Sequence, residues 1–442
     1  MSAGAQSRPE RDMADRRAER NRLLTETGPG TLMGDLFRRY WMPALLACEL
    51  EEPDGPPVRV RLLGEQLVAF RDSQGRIGLI EEFCAHRRVS LWFGKNEECG
   101  LRCPYHGWKY DVTGQCVDLP SEPDSSGVRA RMKLAAYPCI ERGGVIWAYM
   151  GPPELQPEPP GLEWVLVPPE RRYITKRIQE CNYLQALEGG IDSSHVGFLH
   201  EGSLKTDPLF MGPSKGNIYT AHDRAPYFEV EEYDGGLLIA VRRNAEEGRY
   251  YWRITPFMLP FYTLVPPRGT HPISGHAWVP IDDENCWAWS ISYHPSRALT
   301  KKELGAMKAP SGIHVRYEPG SFMPLANKRN DYLVNRAAQA AGLTFSGIEG
   351  VGMQDAAVQE SMGPIVDRAK EHLVGTDKGI IVARNLLLRL AEDNRKGSAP
   401  PGLSSQSQLV RSCAIELAPE TPFRQGAEHG LFPELNTPPV TV

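Results

Sequence analysis

Cys84-Ala85-His86 and, further along, Cys103-Pro104-Tyr105-His106-Gly107-Trp108 decide how this chain is read. Each of the two tight pairs holds one thiol and one imidazole. Four nitrogen and sulfur donors grouped in this way have metal-ligand spacing. Short β-type runs surround them: Val58-Arg59-Val60-Arg61-Leu62, Gln66-Leu67-Val68-Ala69-Phe70, Ile77-Gly78-Leu79-Ile80 and Val145-Ile146-Trp147-Ala148-Tyr149-Met150. Arg71-Asp72-Ser73-Gln74-Gly75 reads as a turn between two of them. Short strands separated by turns predict a small all-β domain over 41–150, with the two pairs on its loops.

A structural zinc site is one reading, because Cys2His2 is an ordinary tetrahedral set. Zinc fingers usually place both cysteines in one pair and both histidines in the other, however. The mixed pairs suit a [2Fe-2S] cluster of the Rieske kind, where one iron takes both thiolates and the other both imidazoles. Neutral imidazoles leave such a cluster less negative than four thiolates would, so it accepts an electron more readily. Gly107 and Gly114 are expected to let backbone amides approach the sulfides.

Outward from this domain, 151–161 is a proline-rich linker, stiff and extended by composition. Residues 1–40 form an extension, with Met1 to Met13 expected to be disordered and a helix from Ala14 to about Glu26. Residues 162–396 mix types. Cys181 to Leu199 reads as helix, strands follow between Phe228 and Tyr293, and helices are expected from about Val358 to Leu373 and from Gly379 to Asp393. This is an α+β pattern with an antiparallel sheet. The tail, 397–442, is rich in Pro, Ser and Gly and is expected to be irregular.

A second constellation lies at the end of the first of those helices: Asp192-Ser193-Ser194-His195-Val196-Gly197-Phe198-Leu199-His200. Two histidines five apart do not share a helix face, but a break at Gly197 could bend the chain so that both rings converge. With a carboxylate they would make the two-His, one-carboxylate triad of a non-haem Fe(II) site. Asp355 is the leading candidate, with Glu360 and Asp367 as rivals; Asp367-Arg368 is more simply an ion pair on a solvated face. Without a metal, the same histidines would be ordinary core or surface residues.

The formal net charge of -5 offers no basic field for a polyanion, so nucleic-acid binding is disfavoured. No apolar run is long enough to span a bilayer. Nine cysteines, an odd number in a chain with no secretory signature, do not form a disulfide framework. The expectation is a cytoplasmic protein with no membrane or nucleic-acid partner.

Together these residues resemble the Rieske non-haem iron oxygenases, the aromatic ring-hydroxylating family, from about Thr27 to Arg389. Within the family the likeness is to the oxygenase components of the phthalate 4,5-dioxygenase group. Gly28-Pro29-Gly30-Thr31, Arg38-Arg39-Tyr40-Trp41, Arg102 through Tyr110 and Glu360-Ser361-Met362-Gly363-Pro364-Ile365 carry it. The resemblance implies an N-terminal all-β Rieske domain, then a catalytic domain whose antiparallel sheet grips a long helix. It places Cys84, His86, Cys103 and His106 on the cluster and His195, His200 and Asp355 on a mononuclear iron. It makes Asp192 a carboxylate bridging a neighbouring subunit's cluster, and Asn182 an Asn near the iron. It also implies a homotrimer or stacked hexamer.

Dioxygen activation needs two electrons from outside. The chain has no Gly-x-Gly-x-x-Gly loop and no plant-type ferredoxin run. Electrons are therefore expected from NADH through a separate flavin or iron–sulfur reductase. The leading expectation is dihydroxylation of a small, phthalate-like aromatic acid by O2. Monooxygenation or O-demethylation of a methoxylated acid is the alternative. A Rieske electron carrier would not need the long chain after the linker, and a zinc-stapled binding module would hold no iron. A carboxylate substrate calls for a buried arginine; Arg224, Arg242 and Arg243 are candidates, with Arg242 or Arg243 pointing inward from a strand end. Phe210, Tyr251, Trp252, Phe257 and Phe261 could line a ring pocket or simply pack the core.

Overall fold

The computed structural model describes residues 8–212 and 214–441. They fall into two units, 37–160 and 1–36 with 161–442. Phe37 to Tyr40, expected in the extension, belong to the smaller unit, and so does the linker up to Pro160.

The smaller unit holds ten strands: β1 (Trp41–Leu46), β2 (Val58–Leu62), β3 (Glu65–Arg71), β4 (Ile77–Glu81), β5 (Lys95–Glu97), β6 (Gly100–Arg102), β7 (Lys109–Tyr110), β8 (Cys116–Asp118), β9 (Cys139–Arg142) and β10 (Val145–Tyr149). They form three antiparallel sheets in the orders β1-β10-β9, β2-β3-β4 and β5-β6-β7-β8. Alternation sets the faces: in β2, Val60 and Leu62 turn inward while Arg59 and Arg61 face solvent. The Cys84 pair follows β4, and the Cys103 pair lies between β6 and β7.

The larger unit is built on one eight-stranded antiparallel sheet. Its strands are β11 (Arg172–Gln179), β12 (Tyr227–Tyr233), β13 (Gly236–Asn244), β14 (Tyr250–Met258), β15 (Tyr262–Val265), β16 (Ile273–Pro280), β17 (Cys286–Tyr293) and β18 (Cys413–Leu417). The order is β11-β17-β16-β15-β14-β13-β12, with β18 paired to β14. Helices lie against it. Gly190, in the Tyr183–Ile191 helix, sits so close to Trp278 of β16 that a Cβ there would fall 2.1 Å from the indole. The long Lys378–Arg395 helix meets β13, where Gly379 faces Ile239.

Several boundaries differ from expectation. The first helix starts by Arg8, before Ala14, and ends at Thr25; residues 1–7, expected to be disordered, lie outside the described residues. The helix expected to reach Leu199 stops at Ile191, because Asp192 is extended (φ -88, ψ 114). The helix expected from Val358 instead spans Val351–Glu360 and carries Asp355 in its interior. It cannot continue to Leu373, because Gly363 has φ +93 and Pro364 follows. The tail is not irregular: β18 pairs with β14 from Ile254↔Cys413 to Tyr250↔Leu417, and Phe423–Leu431 is a helix. Proline and serine flank this strand, but its core, Cys413-Ala414-Ile415, is apolar. No helix among the described residues is long and apolar enough to cross a membrane.

Candidate functional site

In the smaller unit the two loops bring the four predicted ligands to one end. Cys84 and Cys103 are buried in the core with Tyr110 and Leu101, while His86 is exposed and His106 partly so. The two imidazoles lie 4.5 Å apart between centroids at 66°. Each loop is closed by its own backbone: Cys84 N–H donates to Val89 O, and Cys103 N–H to Trp108 O. Gly107 takes φ +78, which favours glycine, and its N–H donates to the Cys103 carbonyl.

Burial holds the Cys103 thiol above its ordinary range; the amides of Tyr105 and His106 pull the other way, and Cys84 pushes it up further. Tyr110 Oη sits 3.4 Å from Cys84 Sγ. Trp108 stacks flat on His86, 4.8 Å away and tilted by 4°, with its own N–H donated to Ser121. Two buried sulfurs behind two outward imidazoles fit a cluster that takes thiolates on one iron and imidazoles on the other. Gly114 closes the turn between β7 and β8: its N–H donates to the Asp111 carbonyl, and a Cβ would fall 2.4 Å from the Leu134 carbonyl.

In the larger unit His195, His200 and Asp355 converge, with one donor atom from each within 4.8 Å of the others. The chain turns between the histidines through a 3-10 turn, His195–Gly197. Gly197 does not take a positive φ, so the turn does not use the freedom of glycine expected there; a Cβ would sit tightly, 3.0 Å from the Thr220 carbonyl oxygen. Asp355 Oδ1 is 3.1 Å from His200 Nε2 and 3.5 Å from His195 Nε2. The other ring nitrogens are engaged elsewhere: His195 Nδ1 faces Asp192 Oδ2 at 3.3 Å, and His200 Nδ1 is 2.7 Å from Gln354 Oε1.

Three lone-pair donors thus point at one another, which is repulsive unless a proton or cation lies among them. Burial works against the charge on Asp355, yet His200 and then His195 hold its pKa down to about 2. Burial likewise opposes charge on His195, but Asp192 and then Asp355 raise its pKa. Two imidazoles and a carboxylate on one side, with outer partners on the far nitrogens, fit a non-haem iron site with open positions.

The rivals for the third ligand are occupied. Glu360 accepts from the Tyr332 hydroxyl and the Glu180 amide. Asp367 pairs with Lys370 rather than with Arg368, which is buried on Glu188. Asn182 does not reach the site. It caps the N-terminus of the Tyr183–Ile191 helix, the end opposite Asp192, accepting from Leu184 N–H and donating to the Thr25 and Asp283 carbonyls.

The pocket over the triad is lined by polar residues of the sheet and by few rings. Arg253 and Thr255 of β14, His276 and Trp278 of β16, Arg177 of β11 and Arg268 face it. The sequence gives little warning of these arginines, because Arg253 and Arg268 interrupt or follow apolar strands as strand-end residues would, and Arg177 stands beside Lys176 in a polar one. The inward arginine of the expected pair is Arg243, but it is spent on Ser193 and the Asp223 carbonyl. Arg242 lies over Tyr227 and Tyr250, and Arg224, itself exposed, pairs with Glu201. Of the expected aromatics, Phe210 alone lines the pocket.

Arg177, Arg253 and Arg268 are 2%, 4% and 5% exposed. Among the described residues, Arg177 Nε, Arg253 Nε and Nη1, and Arg268 Nη1 have no hydrogen-bond partner. Burial, and next Arg253, pull the pKa of Arg268 down to about 9. Burial and then Arg177 hold His276 neutral, at about 3.

Residues 40–138 match the Rieske [2Fe-2S] domain family, and 148–415 match the LigXa C-terminal domain like family. The chain is 38% identical over 400 residues to the 3-chlorobenzoate-3,4-dioxygenase oxygenase subunit of Comamonas testosteroni, covering 88% of this chain and 92% of that one. It is 38% identical over 411 residues to the phthalate 4,5-dioxygenase oxygenase subunit of Pseudomonas putida, covering 90% and 91%. Among solved structures its fold is similar to dicamba monooxygenase, at TM-score 0.56 and 19% identity over 81% of this chain and 98% of that one.

Proposed function

The chain belongs to the Rieske non-haem iron oxygenases, and on that premise we propose that it dihydroxylates a small aromatic acid held by carboxylate against Arg253 and Arg268. As an oxygenase of this family it uses a Rieske cluster and a mononuclear iron, with electrons supplied by a reductase. In the proposed assignment Cys84, His86, Cys103 and His106 hold the cluster, and His195, His200 and Asp355 hold the mononuclear iron. When bound, that iron supplies O2 activation.

The observation that carries the substrate reading is the set of buried guanidinium nitrogens left without partners in the pocket. An unpaired buried cation is costly, and a carboxylate satisfies it with charge-assisted bonds, bidentate where the geometry allows. Arg253 and Arg268 would fix the acid end. Trp278 and Val265 line the same pocket as the triad and would supply apolar surface for the ring. His276, held neutral by burial, lines the pocket and would bond the substrate at its wall. The two relatives are named for aromatic carboxylates, a chlorobenzoate and phthalate.

Asp192 is assigned to the path of electrons between subunits of a trimer. It fixes the His195 tautomer through Nδ1 and keeps one face partly exposed, its side chain at 23%. The donor is proposed to be an NADH-dependent flavin or iron–sulfur reductase. Oxygen uptake and product analysis with benzoate, phthalate isomers and methoxybenzoates tests the reading. A cis-dihydrodiol from an acid, and none from the matching amide or methyl ester, is the expected result. Formaldehyde from a methoxybenzoate would instead make the chain an O-demethylase, and turnover of the neutral analogue would sink the carboxylate clamp.

A further inference from the structure

The two histidines of the triad have unlike outer partners. His195 Nδ1 faces a carboxylate, that of Asp192, whereas His200 Nδ1 faces a neutral amide, that of Gln354. Gln354 directly precedes Asp355 and is fully buried. Its Nε2 lies 2.9 Å from the Ser203 hydroxyl and 2.9 Å from the Ile348 carbonyl oxygen. A carbonyl oxygen can only accept, so the nitrogen end of the amide must face Ile348. The oxygen end must then face His200, and an oxygen 2.7 Å from Nδ1 requires the hydrogen to sit on Nδ1. In the neutral imidazole this leaves the lone pair on Nε2, the atom turned toward Asp355 and the one a metal ion would take.

We infer that Gln354 is a positioning residue that locks His200 in the Nδ1–H tautomer and aims Nε2 into the mononuclear site. The inference rests on the proposed assignment of His195, His200 and Asp355 to iron. The amide has three partners on two segments of the chain, His200 and Ser203 on one and Ile348 on the other. Ser203 follows His200 in the turn, Ile348 precedes the Val351–Glu360 helix, and Gln354 sits in that helix beside the third ligand. One amide therefore ties the ligand imidazole to the helix that supplies the ligand carboxylate. A merely space-filling side chain of the same length would bury the His200 N–H without an acceptor and leave the ring free to invert its tautomer.

The test is metal affinity, measured by anaerobic titration of Fe(II) against a competing chelator. The protein is stripped of mononuclear metal, and its Rieske cluster is verified by visible spectrum. Gln354→Leu is expected to weaken Fe(II) binding by about 10–100-fold, the size usual for loss of an outer partner to a ligating histidine. Gln354→Glu keeps an acceptor for Nδ1–H, and its second oxygen, when protonated, still donates to Ile348; it is expected to restore most of the affinity. The ligand-field spectrum of Co(II) in the site should change in Gln354→Leu and return in Gln354→Glu. Wild-type affinity and spectrum in Gln354→Leu would overturn the inference, and so would a Gln354→Glu variant as weak as Gln354→Leu. If the wild-type protein itself takes no Fe(II) outside the cluster, the triad assignment fails and the inference falls with it.

Discussion

The two proposed metal centres are assembled in opposite ways. The cluster donors lie between Cys84 and His106, on two loops of one small all-β unit, and each loop is closed by its own backbone hydrogen bonds. The triad takes two donors from a broken helix end and the third, Asp355, from a helix far along the chain. In the first, local structure does the positioning. In the second, packing between distant elements does it. The Gly189-Gly190 pair shows how: a Cβ on Gly190 would strike Trp278, and one on Gly189 would lie 2.1 Å from the side-chain nitrogen of Gln359, in the Asp355 helix. The first centre should therefore respond to changes in its loops alone, and the second to changes that touch no donor.

The sharpest break in this contrast is Cys84→Ser or Cys103→Ser, which should remove the cluster and all turnover, read by loss of the reduced Rieske EPR signal. His200→Ala or Asp355→Ala should also abolish turnover, yet leave that signal intact and remove only the mononuclear iron. Asp192→Asn comes next. Both centres should stay loaded while reoxidation of the pre-reduced cluster by substrate and O2 slows by orders of magnitude; a wild-type rate in stopped flow would remove Asp192 from the path. Arg268→Leu should raise KM for an aromatic acid by about 10–100-fold, the loss of one charge-assisted bond of about 1.5–3 kcal/mol, with a smaller effect on kcat. The smallest change is expected at Asn182→Ala, a lost helix cap worth about 1 kcal/mol in thermal unfolding, with iron content unchanged. Loss of iron in that variant would return Asn182 to the site.

What could be read in the sequence follows the same division. The strands of the smaller unit and its ligand pairs were legible because alternation and spacing are local signals. His195 and His200 were legible only beside the resemblance, because the turn that joins their rings depends on Asp192 leaving the helix and on Thr220 packing against Gly197. Asp355 stands out in the sequence and the fold brings it to the two histidines, but the start of its helix is not legible, since the Val351–Glu360 segment buries nearly every face and has no amphipathic period to mark it. Arg177, Arg253 and Arg268 were not legible at all. Nothing local distinguishes an arginine aimed into a pocket from one at a strand edge; the register of the eight-stranded sheet decides it. β18 was hidden for a similar reason, as a short strand whose partner lies far back in the chain at Tyr250–Ile254.

The central claim, two iron centres of different construction on one chain, is tested most directly by counting iron alongside EPR in the wild-type protein and in His200→Ala. The account predicts a Rieske signal in both, with two irons in the cluster and one more in the wild-type protein that His200→Ala loses. A wild-type protein with only the cluster iron, or a His200→Ala variant that keeps its full iron, would contradict it.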